Sequence, residues 1–133
     1  MKNSKKSIAS HYDVKKILSL ICMPFHTKDG FILTERYPFE VKGVDDITAF
    51  EAYTNHVHFN DYFDVKTSRD IELLKQICEI WKLRLENQFP GIPMKLYLTL
   101  DDEKSPTMRF HRLIENEPLW TEPYKDVIIW DVN

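Results

Sequence analysis

The stretch NHVHFNDYFD, residues 55–64, concentrates side chains that could do chemistry: His56, His58, Asp61 and Asp64. Residues two apart on a strand share a face, so the two imidazoles would stand side by side. A carboxylate from Asp61 or Asp64 would complete a facial triad for iron, or join a zinc site. The same alternation sends Val57 and Phe59 toward a core and leaves the histidines on a solvated strand face. Asn60 and Asp61 suit the dihedrals of a turn. A metal site also needs groups that orient each ligand and a rigid third donor. A strand followed by a turn, with no metal, is the expectation; a small enzyme using His56, His58 and Asp61 is the alternative.

Two further stretches carry clustered carboxylates. LDDEKSP places Asp101, Asp102 and Glu103 in one loop, where paired acid and base work would need two carboxylates in contrasting environments. The Ser105-Pro106 pair marks this stretch as a solvated turn. ENEPLWTEPY sets Glu115, Glu117 and Glu122 around Trp120 and Tyr124, with two prolines stiffening the backbone. Trp120 there either plugs the end of the core or anchors an acidic, aromatic binding surface that is ordered in advance. Glycine occurs only three times, and no GxGxxG, P-loop, GxSxG, HExxH or paired CxxC pattern is present. Phosphate-bearing cofactors need glycine where backbone approaches closely, so no cofactor is expected.

The elements that would position these residues follow from periodicity. Val14, Ile17, Leu18 and Ile21 form one face of a helix that Ser10 or Asp13 can cap and Pro24 stops. After the KDG turn, FILTERYPFEV reads as extended chain broken at Pro38, and VDDITAF opens a short helix with aspartates at its positive end. Thr67 or Ser68 caps the longest helix, on which Ile71, Leu74, Cys78, Trp81 and Leu85 make one apolar stripe. Lys75–Glu79 and Lys82–Glu86 lie four apart beside that stripe. MKLYLTL alternates Met94, Leu96, Leu98 and Leu100 against Lys95, Tyr97 and Thr99, a strand with one wet face. TMRFHRLI and DVIIW complete an antiparallel meander. The order α-β-β-α-β-α-β-β-β implies an α+β fold: a single antiparallel or mixed sheet of about five strands, covered by two to three helices, one of them long.

The 133 residues suit one domain, 1–133, with 1–9 as a flexible basic tail. The first 28 residues carry six lysines against one aspartate, so a total of −3 leaves −8 for the rest. An acidic body argues against nucleic acid as a partner and suits a basic protein. No membrane span or secretory leader is expected, because no long apolar run is present and none follows the basic N-terminus. Cys22 and Cys78 fall at apolar helical positions and read as buried, reduced thiols of a cytoplasmic protein.

TMRFHRLIENEPLW, followed by VIIWDV, resembles the C-terminal parts of immunity proteins from bacterial polymorphic toxin systems. Those are small, mostly acidic α+β proteins that bind and neutralise a co-encoded toxin. The resemblance implies a cytoplasmic, non-enzymatic inhibitor that occludes a basic toxin domain. Glu115, Glu117, Trp120, Glu122 and Tyr124 are the candidate partner-binding residues, the glutamates to steer and the rings to anchor. A homodimer built on an exposed sheet edge is a further class that this fold permits.

Overall fold

The computed structural model describes residues 13–34, 43–100, 105–120 and 126–133. The expected tail at 1–9, the bend at Pro38 and the loop acids Asp101, Asp102 and Glu103 lie outside the described residues. Helices α1 (Val14–Ile21), α2 (Ile47–Thr54) and α3 (Ser68–Gln88) alternate with strands β1 (Phe25–Lys28), β2 (Phe31–Thr34), β3 (His56–His58), β4 (Met94–Thr99), β5 (Thr107–Arg112) and β6 (Val127–Val132). The fold is α+β, and the types of element follow the expected order, but β1 lies before the KDG turn, where no strand is expected, and only the start of FILTERYPFEV is a described strand.

The long helix α3 begins where a full capping box closes its first turn. Thr67 Oγ1 accepts from Asp70 N at 3.2 Å, while Asp70 Oδ2 accepts from Thr67 N at 2.9 Å. Leu74, Ile77, Cys78, Trp81 and Leu85 are its buried stripe, and Ile71 is half-buried at the margin. They pack on Met94, Leu96, Leu98, Met108 and Phe110 of the sheet. Burial in this apolar layer pushes the Cys78 thiol far above its ordinary range. Lys82 pairs with Glu86 as expected, but Lys75 reaches one turn back to Glu72 instead of one turn forward to the predicted Glu79.

Helix α3 also caps α1. Trp81 Nε1 donates to Leu20 O at 3.0 Å, and the Arg84 guanidinium donates to Ile21 O and Met23 O, both at 2.7 Å. A cation thus neutralises the carbonyls at the negative end of α1. This seating turns Leu20, Ile17 and Ile21 inward and leaves Val14 and Leu18 exposed, so the core face is rotated from the predicted one. Cys22 follows the last turn of α1 and is exposed, a correction to the expected burial; Cys78 is buried.

The strands form two sheets where one of about five strands is expected. Among the described residues β1 and β2 pair only with each other, through a turn in which Asp29 and Gly30 take positive φ. β3, β5, β4 and β6 form an antiparallel four-stranded sheet in that order. The hairpin stays separate because side chains of α2 occupy the open edge of β2. Ile32 N donates to Glu51 Oε2 at 3.0 Å, and Thr34 N donates to Asn55 Oδ1 at 3.1 Å. No simple meander forms either. β3 takes the outer edge of β5, so β6 pairs with the far side of β4. Strands β5 and β6 therefore run parallel, separated by β4, and the described segment after β5, residues 113–120, starts the return across the sheet.

Candidate functional site

That return crosses the sheet face opposite α3. Register places His111 beside Lys95 and Asp131, and Arg109 between His56 and Tyr97. Thr107 lies between His58 and Thr99 in the next row. Alternation predicts this as a wet face. It is instead buried at Tyr97, Thr99, Thr107, Arg109 and His111, because α2 and the returning segment contribute contacts to it.

Several polar groups on this face are paired with named partners, although Thr99 Oγ1 is buried without a hydrogen-bond partner among the described residues. Tyr97 Oη lies 2.9 Å from His111 Nε2, and the rings stack with centroids 5.5 Å apart. His111 Nδ1 is 2.7 Å from Arg112 O and must donate to it, so Nε2 accepts from the tyrosine hydroxyl. Burial holds the imidazole pKa below its ordinary value and pushes the tyrosine up to about 12. Both groups are thereby kept neutral. Glu51 is fully buried and accepts from Arg112 N and Arg112 Nε, each at 2.9 Å, as well as from Ile32 N.

The segment after β5 is shaped by its own sequence. Glu117 N donates to Ile114 O at 3.1 Å across a turn whose third residue, Asn116, takes φ 69°. Asparagine tolerates that left-handed conformation better than most residues. The turn aims Glu117 at the start of α2, where its carboxylate accepts from Thr48 N at 2.8 Å, Thr48 Oγ1 at 2.7 Å and Ile47 N at 3.3 Å. The hydrogen bonds from Thr48 hold the Glu117 carboxyl below the usual carboxylate range. Asp46 caps the same end by accepting from Ala49 N at 2.9 Å. Trp120 fixes the segment further along, with the Arg109 guanidinium 4.3 Å from its ring centroid and Tyr97 edge-on at 5.1 Å.

The candidate residues therefore separate. Glu115 is exposed, Glu117 and Trp120 are half-buried and engaged with the fold, and Glu122 and Tyr124 lie outside the described residues. Leu113 and Leu119 are 39% and 49% exposed and went unmarked in the sequence, where scattered leucines carry no signal. Arg109 and His111 were also missed, although the strict alternation of TMRFHR sets them on one face with Thr107.

His56 and His58 do come together, with ring centroids 5.0 Å apart and nearly perpendicular, and Tyr53 continues the row. His56 Nδ1 contacts Tyr53 O. Thr107 Oγ1 donates to Ser105 O and so accepts from His58 Nδ1, at 3.0 Å. Asp61 closes a 3₁₀ turn at Phe59–Asp61 and lines a polar hollow of about 230 Å³ with Asp13, Lys16, Asn60 and Asp64, away from both imidazoles. Among the described residues, no three histidine, cysteine, aspartate or glutamate side chains gather as a metal site would require. Among the same residues, no helix is long and apolar enough to cross a membrane.

The chain matches the model of the Uncharacterized protein PM0498 family over residues 4–128 and belongs to that family. No curated protein and no solved structure matches it.

Proposed function

We propose that this protein is a cytoplasmic, protein-binding inhibitor of the immunity type, which docks segment 113–120 on a basic surface of a toxin. The observation that carries this reading is the way the segment is held. Glu117 ties it to α2 and Trp120 ties it to Arg109, yet Leu113, Glu115 and Leu119 remain turned outward. A surface already ordered in the free protein loses little conformational entropy on docking. The acidic body supplies long-range attraction toward a basic target.

Roles then divide differently from a simple ring of glutamates around two aromatic anchors. Glu115 steers, Leu113 and Leu119 supply apolar contact, and Glu117 and Trp120 keep the segment in place. Glu122 and Tyr124 retain the steering and anchoring roles that their residue types suggest.

The test is capture of the partner by the intact chain in its native host, followed by binding kinetics with the identified protein. Glu115→Gln should slow association and flatten its salt dependence. Leu119→Asp should speed dissociation, and Trp120→Ala should weaken binding by releasing the segment. A partner without a basic surface, or affinity unchanged by all three substitutions in folded protein, would sink the proposal.

A further inference from the structure

The outer edge of β6 is unpaired among the described residues, and it differs in kind from segment 113–120. The bond from Leu100 N to Asp126 O sets the phase of the ladder, with Thr99 opposite Val127. Ile128, Trp130 and Val132 therefore exchange backbone bonds with β4, while Val127, Ile129 and Asp131 direct theirs outward. Proteins usually blunt such an edge with lysine, proline, a bulge or a very short strand. The opposite edge, β3, is only three residues long and flanked by histidines. β6 runs for six residues, VIIWDV, and its one charge, Asp131, is paired with Lys95.

The side chains beside this edge are apolar and open. Ile129, central in the strand, is 55% exposed. On the α3 side, Leu83 is 63% exposed and lines a hollow of about 310 Å³ with Trp130, Glu79 and Lys82.

We infer that a second copy of this chain docks here, joining the two sheets through antiparallel β6 strands. The sequence of the edge fits itself about a two-fold axis at Ile129. Ile129 then faces its own copy, Val127 faces Asp131, and each outward N–H meets an outward C=O. On the α3 side Ile128 lies opposite Trp130, a β-branched and aromatic pair of the kind that stabilises adjoining strands. The rim of the hollow carries one charge of each sign, so the axis can set Glu79 against Lys82 of the other copy. Lys82 pairs with Glu86 at 3.0 Å within its own chain, and Glu79 of the other copy would offer it a second carboxylate. An isologous interface requires this self-matching, whereas an unrelated strand would need none of it.

Sedimentation velocity on the intact chain across a concentration series tests the inference. The wild type should dimerise reversibly. Ile129→Lys sets two ammonium groups face to face at the axis; Ile129→Pro removes an outward N–H and leaves the bonds to β4 intact. Each should weaken dimerisation at least ~10-fold, about 1.4 kcal/mol, with the far-UV circular dichroism of the monomer unchanged. Ile129→Lys changes an exposed side chain only, so it keeps the test valid if the proline variant unfolds. A wild type that stays monomeric up to about 100 μM, roughly 5.5 kcal/mol of association, overturns the proposal. A dimer equally tight in folded Ile129→Lys also overturns it, as does one that Leu119→Asp dissociates instead.

Discussion

Beneath α3 the four-stranded sheet presents Met94, Leu96, Leu98, Met108 and Phe110; on its other side it presents Tyr97, Thr99, Thr107, Arg109 and His111. All ten are buried, but different forces hold them. The first face is closed by apolar contact, which has no direction and scales with the area removed from water. The second is closed by individual contacts between named groups: Tyr97 to His111, His58 to Thr107, Arg109 over Trp120. Damage to the first should therefore grow with the volume lost. Damage to the second should depend on which polar group is left without its partner.

The largest effect should come from the apolar side. Trp81→Ala empties the centre of α3 and breaks the bond to Leu20 O, and should cost about 3–5 kcal/mol in urea unfolding. A loss below about 1 kcal/mol would show that this face tolerates cavities and would undo the contrast. At the β5 edge, where α2 joins the hairpin to the sheet through polar bonds, Glu51→Ala removes a small volume but strands the Arg112 guanidinium and Ile32 N. It should still cost about 3 kcal/mol, the scale of a broken buried ion pair. A value near that of a surface substitution would mean that water replaces the carboxylate. Tyr97→Phe keeps the ring and deletes one hydroxyl; about 1–2 kcal/mol is expected from the orphaned His111 Nε2.

The smallest effect is a pH dependence confined to the polar side. Burial depresses the folded-state pKa of His111, so the unfolded chain takes up the proton first as pH falls. Stability from this group is complete above the ordinary histidine value and declines below about pH 6.5. The decline should begin where the unfolded histidine takes up its proton, between about pH 7 and 6. Unfolding titrations of His111→Gln should lack that component, and identical profiles for the two proteins would exclude it. The low pKa of Glu117 acts in a separate window. Its contribution is present above the ordinary glutamate range and is lost as pH falls through the folded value.

Legibility in the sequence followed range. Helix α3, its N-terminal cap at Thr67 or Ser68 and the strands after it were readable because spacing within a few residues determines them, whereas strand β1 and the return bond from Asp70 went unmarked. The buried role of Val57 and Phe59 and the 3₁₀ turn after them were readable for the same reason. The separate hairpin was hidden because it depends on Glu51 and Asn55 reaching β2 from α2. Burial of Tyr97 and Thr99 was misread because alternation reports residue polarity and not what a distant segment, here the one carrying Trp120, lays across the face. At the candidate site, Glu117 looked like one acid among three. Its bonds to Ile47 and Thr48 span about 70 residues, and no local pattern records them.

Asn55 ends α2 and belongs to both sheets at once. Its backbone carbonyl accepts from Phe110 N at 3.2 Å and so prolongs the β3–β5 ladder. Its side chain accepts from Thr34 N at 3.1 Å and donates to Ile32 O at 2.8 Å, much as a strand would. One residue thus acts as a rivet through two plates. Neither sheet can open at that point without breaking bonds of the other, so the Thr34 and Phe110 amides should exchange hydrogen through a shared opening event. Asn55→Ala would uncouple them, raising exchange at Thr34 far more than at Phe110. The hairpin would then keep the Ile32–Glu51 bond and the packing of Phe25 on Trp81 but lose the link that ties its opening to that of the main sheet.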